Sequence, residues 1–295
     1  MQSADFLSAV FFYLKEGENL NQNWIVENLN NAFSTWNGKL GELWGLVTTG
    51  PQTFKGGAVW SVMQTLHNGM VGIGYALVVL FFAISLCKNT MNFHELKRPE
   101  AAIHYFLRFV AAKALVGYGM DIMLNVFSIC NGIVTDMADS MGGISEAVVS
   151  LPTEMQTAIE NVGFLASIPL WLVTILGSLF ITVLSFVMIL TVYGRFFRLY
   201  MYTALAPLPL AAFAGESTQS VGISFLKSYV GVCLEGAVIV LACVIYSAFV
   251  STPTVASGEA TTIVWSYLAE TVFNMLVLVG LIKGSDRIIH EMMGL

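Results

Sequence analysis

With 295 residues, 56% of them hydrophobic and 11% charged, and a mean hydropathy of +0.74, the chain lies outside soluble globular domains, where roughly a quarter of residues are charged. The composition is that of a polytopic membrane protein. A net charge of −6 argues against a direct high-affinity nucleic-acid site, which needs clustered Lys and Arg, and Cys87, Cys130, Cys233 and Cys243 lack metal or disulfide spacing and read as packing residues.

Residues 1–57 read as an external amphipathic region and 58–295 as a transmembrane bundle. The opening MQSADFLSAVFFYLKEGENL has neither the positive n-region nor the cleavage site of a signal peptide, so it reads as part of the mature protein. Phe6, Leu7, Val10, Phe11 and Leu14 share one helical face, and Ile25, Leu29, Phe33, Trp36, Leu40, Leu43 and Leu46 recur at helical spacing. Trp24, Trp36 and Trp44 suit a membrane interface. One or two helices are expected on the bilayer surface or against a partner, or else a small helical hairpin over the membrane domain. Gly50-Pro51 and Gly56-Gly57 break the pattern as a linker.

Five spans are expected, at 62–87, 101–130, 164–193, 228–250 and 263–282. In the first, Gly69, Gly72 and Gly74 follow no strand, so they read as helix-packing residues rather than a nucleotide loop. The second carries Arg108, Lys113 and Asp121; the fourth carries Glu235 and the fifth Glu270. Charges inside a span are costly and face a bundle interior, a cavity or an opposite charge. The third span has no charge and ends at GRFFRLYMYTALAPLPLAAFA, where Pro207 and Pro209 each remove a backbone donor and crowd the preceding turn. Residues 199–227 are therefore expected to form a Pro-broken re-entrant or cytoplasmic hairpin.

The basic residues set the topology. Lys88, Lys97, Arg98, Arg195, Arg198, Lys227, Lys283 and Arg287 flank one set of span ends, whereas 131–163 and 251–262 carry no Lys or Arg. The positive-inside rule then places the N-terminus and the acidic loop 131–163 outside and the C-terminus inside, provided that 199–214 does not cross. The expected fold is an all-α polytopic membrane helix bundle with about five spans, the hairpin and amphipathic N-terminal helices.

No enzyme motif is present: His94-Glu95 and His290-Glu291 lack a second histidine at metal spacing, and no nucleophile elbow or Walker loop occurs. The chain is expected to be a non-enzyme without a cofactor. Counting helical rise from the cytoplasmic ends puts Arg108 level with Glu235 and Lys113 level with Glu270. Two ion pairs are expected, linking the second span to the fourth and fifth; they either fix packing or line a hydrated path.

The run Arg195 to Ala214, the Ser/Thr-rich turn, Ser224-Phe225-Leu226-Lys227 and the span holding Glu235 resemble the core of TrbL-type proteins, polytopic inner-membrane components of conjugative type IV secretion systems. The resemblance covers about 58–285. It implies a platform subunit of the bacterial cytoplasmic membrane that forms a homo-oligomer around the substrate path. Its implied partners are other secretion-machine membrane proteins, secretion ATPases, the coupling protein, and pilus or surface components on the outer face. A secondary transporter or ion channel using the broken helix is the alternative, but no inverted repeat mirrors that segment. A holin-like pore fits the glycine content and not the topology.

Overall fold

The computed structural model describes residues 2–90, 99–140, 148–162, 164–249 and 260–295, and its regular elements are all helical. They are α1 (Gln2–Thr48), α2 (Ala58–Thr90), α3 (Pro99–Gly117), α4 (Gly119–Ser140), α5 (Thr153–Glu160), α6 (Phe164–Leu205), α7 (Pro207–Ala211), α8 (Gln219–Phe249) and α9 (Ala260–Met293). Tight 3-10 turns at Phe54–Gly57 and Ala212–Ala214 precede α2 and follow α7. His94, Glu95, Lys97 and Arg98 lie outside the described residues, as does most of the loop 251–262.

Four stretches are long and apolar enough to cross a bilayer: Phe54–Lys88, Ile168–Leu205, Gln219–Ala248 and Thr262–Met293. They carry the spans expected at 62–87, 164–193, 228–250 and 263–282. The continuous span expected at 101–130 does not form. Ile103–Gly117 and Gly119–Asp139 are bent by 72°, so this region is a fifth crossing only if the bent pair counts as one. Glycines on both sides of Tyr118 explain the place of the bend. A Cβ on Gly117 would stand 2.7 Å from Tyr75 Oη, and one on Gly119 would stand 3.2 Å from Leu210 Cδ1, so only bare backbone lets these neighbours approach.

The proline stretch also departs from expectation. α6 runs unbroken through Arg195, Arg198 and Tyr202, so 199–205 is helix and the reversal is confined to 206–218. Pro207 has no N–H for the Thr203 carbonyl one turn back, and its ring crowds that carbonyl. His67 on α2 fills the place: its Nδ1 lies 2.7 Å from Thr203 O, and must donate because a carbonyl only accepts. The Leu210 N–H bonds Ala206 O at 3.1 Å and sustains α7. Thr218 Oγ1 then donates to Ala212 O at 2.7 Å, closing the turn before α8 starts at Gln219, well ahead of the expected Ser228.

By packing, the chain divides into Met1–Gly45, Gly142–Thr191 and Leu241–Lys283 as one unit, and Leu46–Met141, Val192–Val240 and Gly284–Leu295 as the other. In the first, α1 is one helix rather than a hairpin and runs beside α6 in the same direction. Trp24 meets Trp171 at 5.7 Å, Asn28 Nδ2 donates to Ser178 Oγ at 3.0 Å, and Lys39 Nζ sits 5.9 Å over the Phe186 ring. Ile25, Leu29, Phe33, Trp36, Leu40 and Leu43 are buried, the expected apolar face. Fully burying such a side chain is worth about 1.5–3 kcal/mol, which outweighs the cost of about 1 kcal/mol for each exposed helical glycine at 38, 41 and 45. The Asn37 amide exchanges two hydrogen bonds with the backbone of Val149, at 2.7 and 3.0 Å, and so fixes the chain leading to α5.

In the second unit Phe54 stacks on Phe196 at 4.0 Å and Tyr200 Oη donates to Pro51 O at 2.8 Å, tying the linker after α1 to α6. α7 and its 3-10 turn rest on α2 and α3. Gly74 permits that approach, since a Cβ there would meet Pro207 O at 2.9 Å; at Gly69 and Gly72 a Cβ meets nothing within 4 Å. Of the three glycines read as packing residues, Gly74 is the one so used within the chain.

Candidate functional site

Arg195 and Arg198 stand three residues apart on α6 and therefore project to one side of it. Arg195 is fully buried. Its Nε donates to Val232 O at 3.3 Å, Nη2 to Cys233 O at 3.1 Å and Nη1 to Val47 O at 3.4 Å. Gly236 leaves the room this needs, because a Cβ there would lie 2.7 Å from Arg195 Nη1. Arg198 Nη2 reaches both carboxylate oxygens of Glu235, at 2.7 and 2.8 Å, and its Nη1 bonds Asp286 Oδ1. Ser285 Oγ donates to Glu235 Oε1 at 3.2 Å.

Two guanidinium groups and two carboxylates thus compensate one another while joining the end of α1 to α6, α8 and α9. Glu235 is only 1% exposed, and a carboxylate so deep is tolerable because charged donors and a hydroxyl satisfy it. Such a cluster holds helices in register.

The pair expected between Arg108 and Glu235 does not form. Glu235 is held by Arg198, and Arg108 on α3 instead donates to Gln219 Oε1 at the start of α8. The depth count takes the fourth span to start at Ser228, but α8 starts at Gln219, so Glu235 lies deeper along its helix than Arg108 does and Arg108 meets the first turn of α8 instead. Lys113 and Glu270, the other expected pair, are both exposed and belong to different packing units. Asp121 is exposed in the first turn of α4, where the helix dipole favours a carboxylate. It lines a cavity of about 420 Å³ together with Gln52, Asn125, Ser128 and Asn131. Asn131 Nδ2 donates to Thr48 O at 3.2 Å while its Oδ1 is buried without a partner. Beyond the cavity the same side of α4 continues as Gly132, Asp136 and Asp139, all exposed, so polar residues recur every three or four positions along the helix.

Residues 36–207 match the family described as TrbL/VirB6 plasmid conjugal transfer like protein. The chain belongs to this family. No curated protein and no solved structure matches it. The TrbL/VirB6 match begins inside α1, earlier than the resemblance placed over 58–285, and ends at Pro207. It takes in Arg108, Lys113, Asp121, Arg195 and Arg198; Pro209, Glu235 and Glu270 lie beyond it. As a TrbL/VirB6 protein with four or five membrane-crossing helices, the chain is a multi-pass membrane component of conjugal transfer.

Two participants in the arginine cluster, and the histidine at the proline turn, are not singled out from sequence. Asp286 and Ser285 lie beyond the fifth span expected at 263–282, and α9 continues through them. His67 is a lone histidine in an apolar span. Its signal was Pro207, which leaves a carbonyl in need of a donor.

Proposed function

We propose that the chain is a non-enzymatic platform subunit of a conjugative type IV secretion machine in the bacterial cytoplasmic membrane. In this reading it forms a homo-oligomer around the substrate path, with its N-terminus outside and its C-terminus inside. Secretion ATPases and the coupling protein meet it at the inner face, and pilus or surface components at the outer face. The observation that carries the reading is the free side of α4, where Asp121, Asn125, Ser128, Gly132, Asp136 and Asp139 form one polar stripe. Lipid cannot solvate carboxylates and amides, so within a membrane such a side needs other copies, partners or enclosed water.

The cavity beside Asp121 favours a second reading, a transporter that binds a small solute there. Purification in mild detergent, with thiol cross-linking of Asp136→Cys in membranes, separates the two. A ladder of homo-oligomers and co-purification of secretion ATPases support the platform. A monomer that takes up a solute saturably in vesicles overturns it.

A further inference from the structure

α1 and α6 lie side by side and yet turn opposite kinds of surface outward. From Trp24–Trp171 to Lys39–Phe186 each helix advances by the same number of residues, so they run in register for about 22 Å, much of a hydrocarbon core of about 30 Å. Over this stretch the exposed residues of α6 include Leu172, Leu176, Phe180, Val183 and Phe186, side chains suited to lipid. Apart from Trp24, 40% exposed where it meets Trp171 at one end of the stretch, the exposed residues of α1 at the same level are Glu27, Asn30, Asn31, Ser34 and Gly38, followed by Gly41. None of these is a large apolar residue. This side cannot face lipid without leaving amides, a carboxylate and bare glycine backbone unsolvated.

A separate feature continues the polar surface onto α6. A groove of about 370 Å³ between the two helices is lined by Asn28, Asn31, Thr35, Ser178 and Thr182, together with apolar Ala32, Ile175 and Leu179. Most of the groove wall is apolar, and its amides and hydroxyls give water partners along one strip of it. Lys39 adds no positive charge to the surface, because its Nζ is held by Glu42 at 2.6 Å and lies over Phe186. The surface is therefore neutral to acidic and has no grip on phosphate.

We propose that the side of α1 bearing Glu27, Asn31, Ser34, Gly38 and Gly41, with the groove beside it, lines a water-filled path through the membrane. The proposal rests on the platform reading, since further copies must enclose the path. It adds which helix faces the water and what chemistry the wall offers: amides, hydroxyls and backbone, with one carboxylate.

Single cysteines test it. A Cβ built on Gly38 or Gly41 meets nothing within 4 Å, so Gly38→Cys and Gly41→Cys fit the fold, and exposed Ser34→Cys is nearly isosteric. Leu190→Cys, on the exposed apolar side of α6, is the control, and exposed Cys87 is replaced by Ala in every variant. Only the thiolate reacts with a membrane-impermeant methanethiosulfonate, and lipid suppresses ionisation, so the three α1 positions should react at least about tenfold faster than the control. Glu27 should make a cationic reagent faster than an anionic one at Ser34→Cys. Slow modification at all four positions in a particle that sizes as an oligomer overturns the path and leaves the platform standing. Slow modification in a particle that sizes as a monomer overturns both.

Discussion

The cluster around Arg195 and the outer side of α1 are both polar surfaces in apolar helices, and the chain treats them in opposite ways. Each hydrogen-bonding arm of Arg195 meets a carbonyl, and Glu235 is met by Arg198 and Ser285. Room for the guanidinium is made by a glycine whose Cβ would collide with it. On α1 the glycines at 38 and 41 admit nothing from the same chain, and Glu27, Asn31 and Ser34 stand exposed beside an apolar span. Polar groups that close on one another hold the helices together. Polar groups left open beside an apolar helix imply something outside the described residues, whether water or other copies.

The comparison breaks most sharply at Glu235. Glu235→Ala leaves two guanidinium groups, one of them fully buried, with a single remaining carboxylate on Asp286, which is 44% exposed. Stranding a buried charge costs about 3–5 kcal/mol, so the variant should lose its monodisperse peak in mild detergent roughly 10 °C early or fail to accumulate in membranes. Wild-type thermal stability in Glu235→Ala would show that the cluster is not closed in the way the distances indicate.

A middle-sized effect is expected at His67, where closure depends on a proline. His67→Ala leaves the Thr203 carbonyl buried without its donor and should cost about 1–3 kcal/mol. Pro207→Ala restores an N–H one turn from the same carbonyl, so the cost of His67→Ala in that background should shrink to within about 0.5 kcal/mol. Thermal unfolding of the four proteins measures the cycle, and strict additivity would separate His67 from the proline.

This pair also shows what the sequence discloses and what it withholds. The spans were readable because long apolar runs have few other uses, and Arg195, Arg198 and Glu235 stood out because charge in such a run is costly. Their partners were not readable. Backbone carbonyls such as those of Val47, Val232 and Cys233 leave no mark in a sequence, and His67 is joined to Thr203 only by a fold that brings α2 against the end of α6. The Arg108–Glu235 assignment failed for a related reason: the polar residues 215–227 hide the fact that α8 already runs from Gln219, so a depth counted from Ser228 is too shallow for Glu235. Gly117-Tyr118-Gly119 could have warned of the 72° bend, although glycines are common in spans that do not bend. The helix α6 runs to Leu205, into the stretch 199–227 expected as a hairpin, since a helix can approach a proline closely when another side chain takes over the abandoned carbonyl.

The smallest effect has the opposite sign and tests the open side of the comparison. Gly38 is exposed on α1, and among the described residues nothing stands within 4 Å of the Cβ it lacks. Alanine there should gain helix propensity at no steric cost, raising stability in detergent by up to about 1 kcal/mol. Gly236→Ala, which forces a Cβ against Arg195, should move thermal stability the other way, by about 1–3 kcal/mol. If Gly38→Ala also destabilises the solubilised monomer, something within the chain leans on that glycine and the outer side of α1 is not open. If it stabilises, the glycine is there for a neighbour or for the water that the chain alone does not supply.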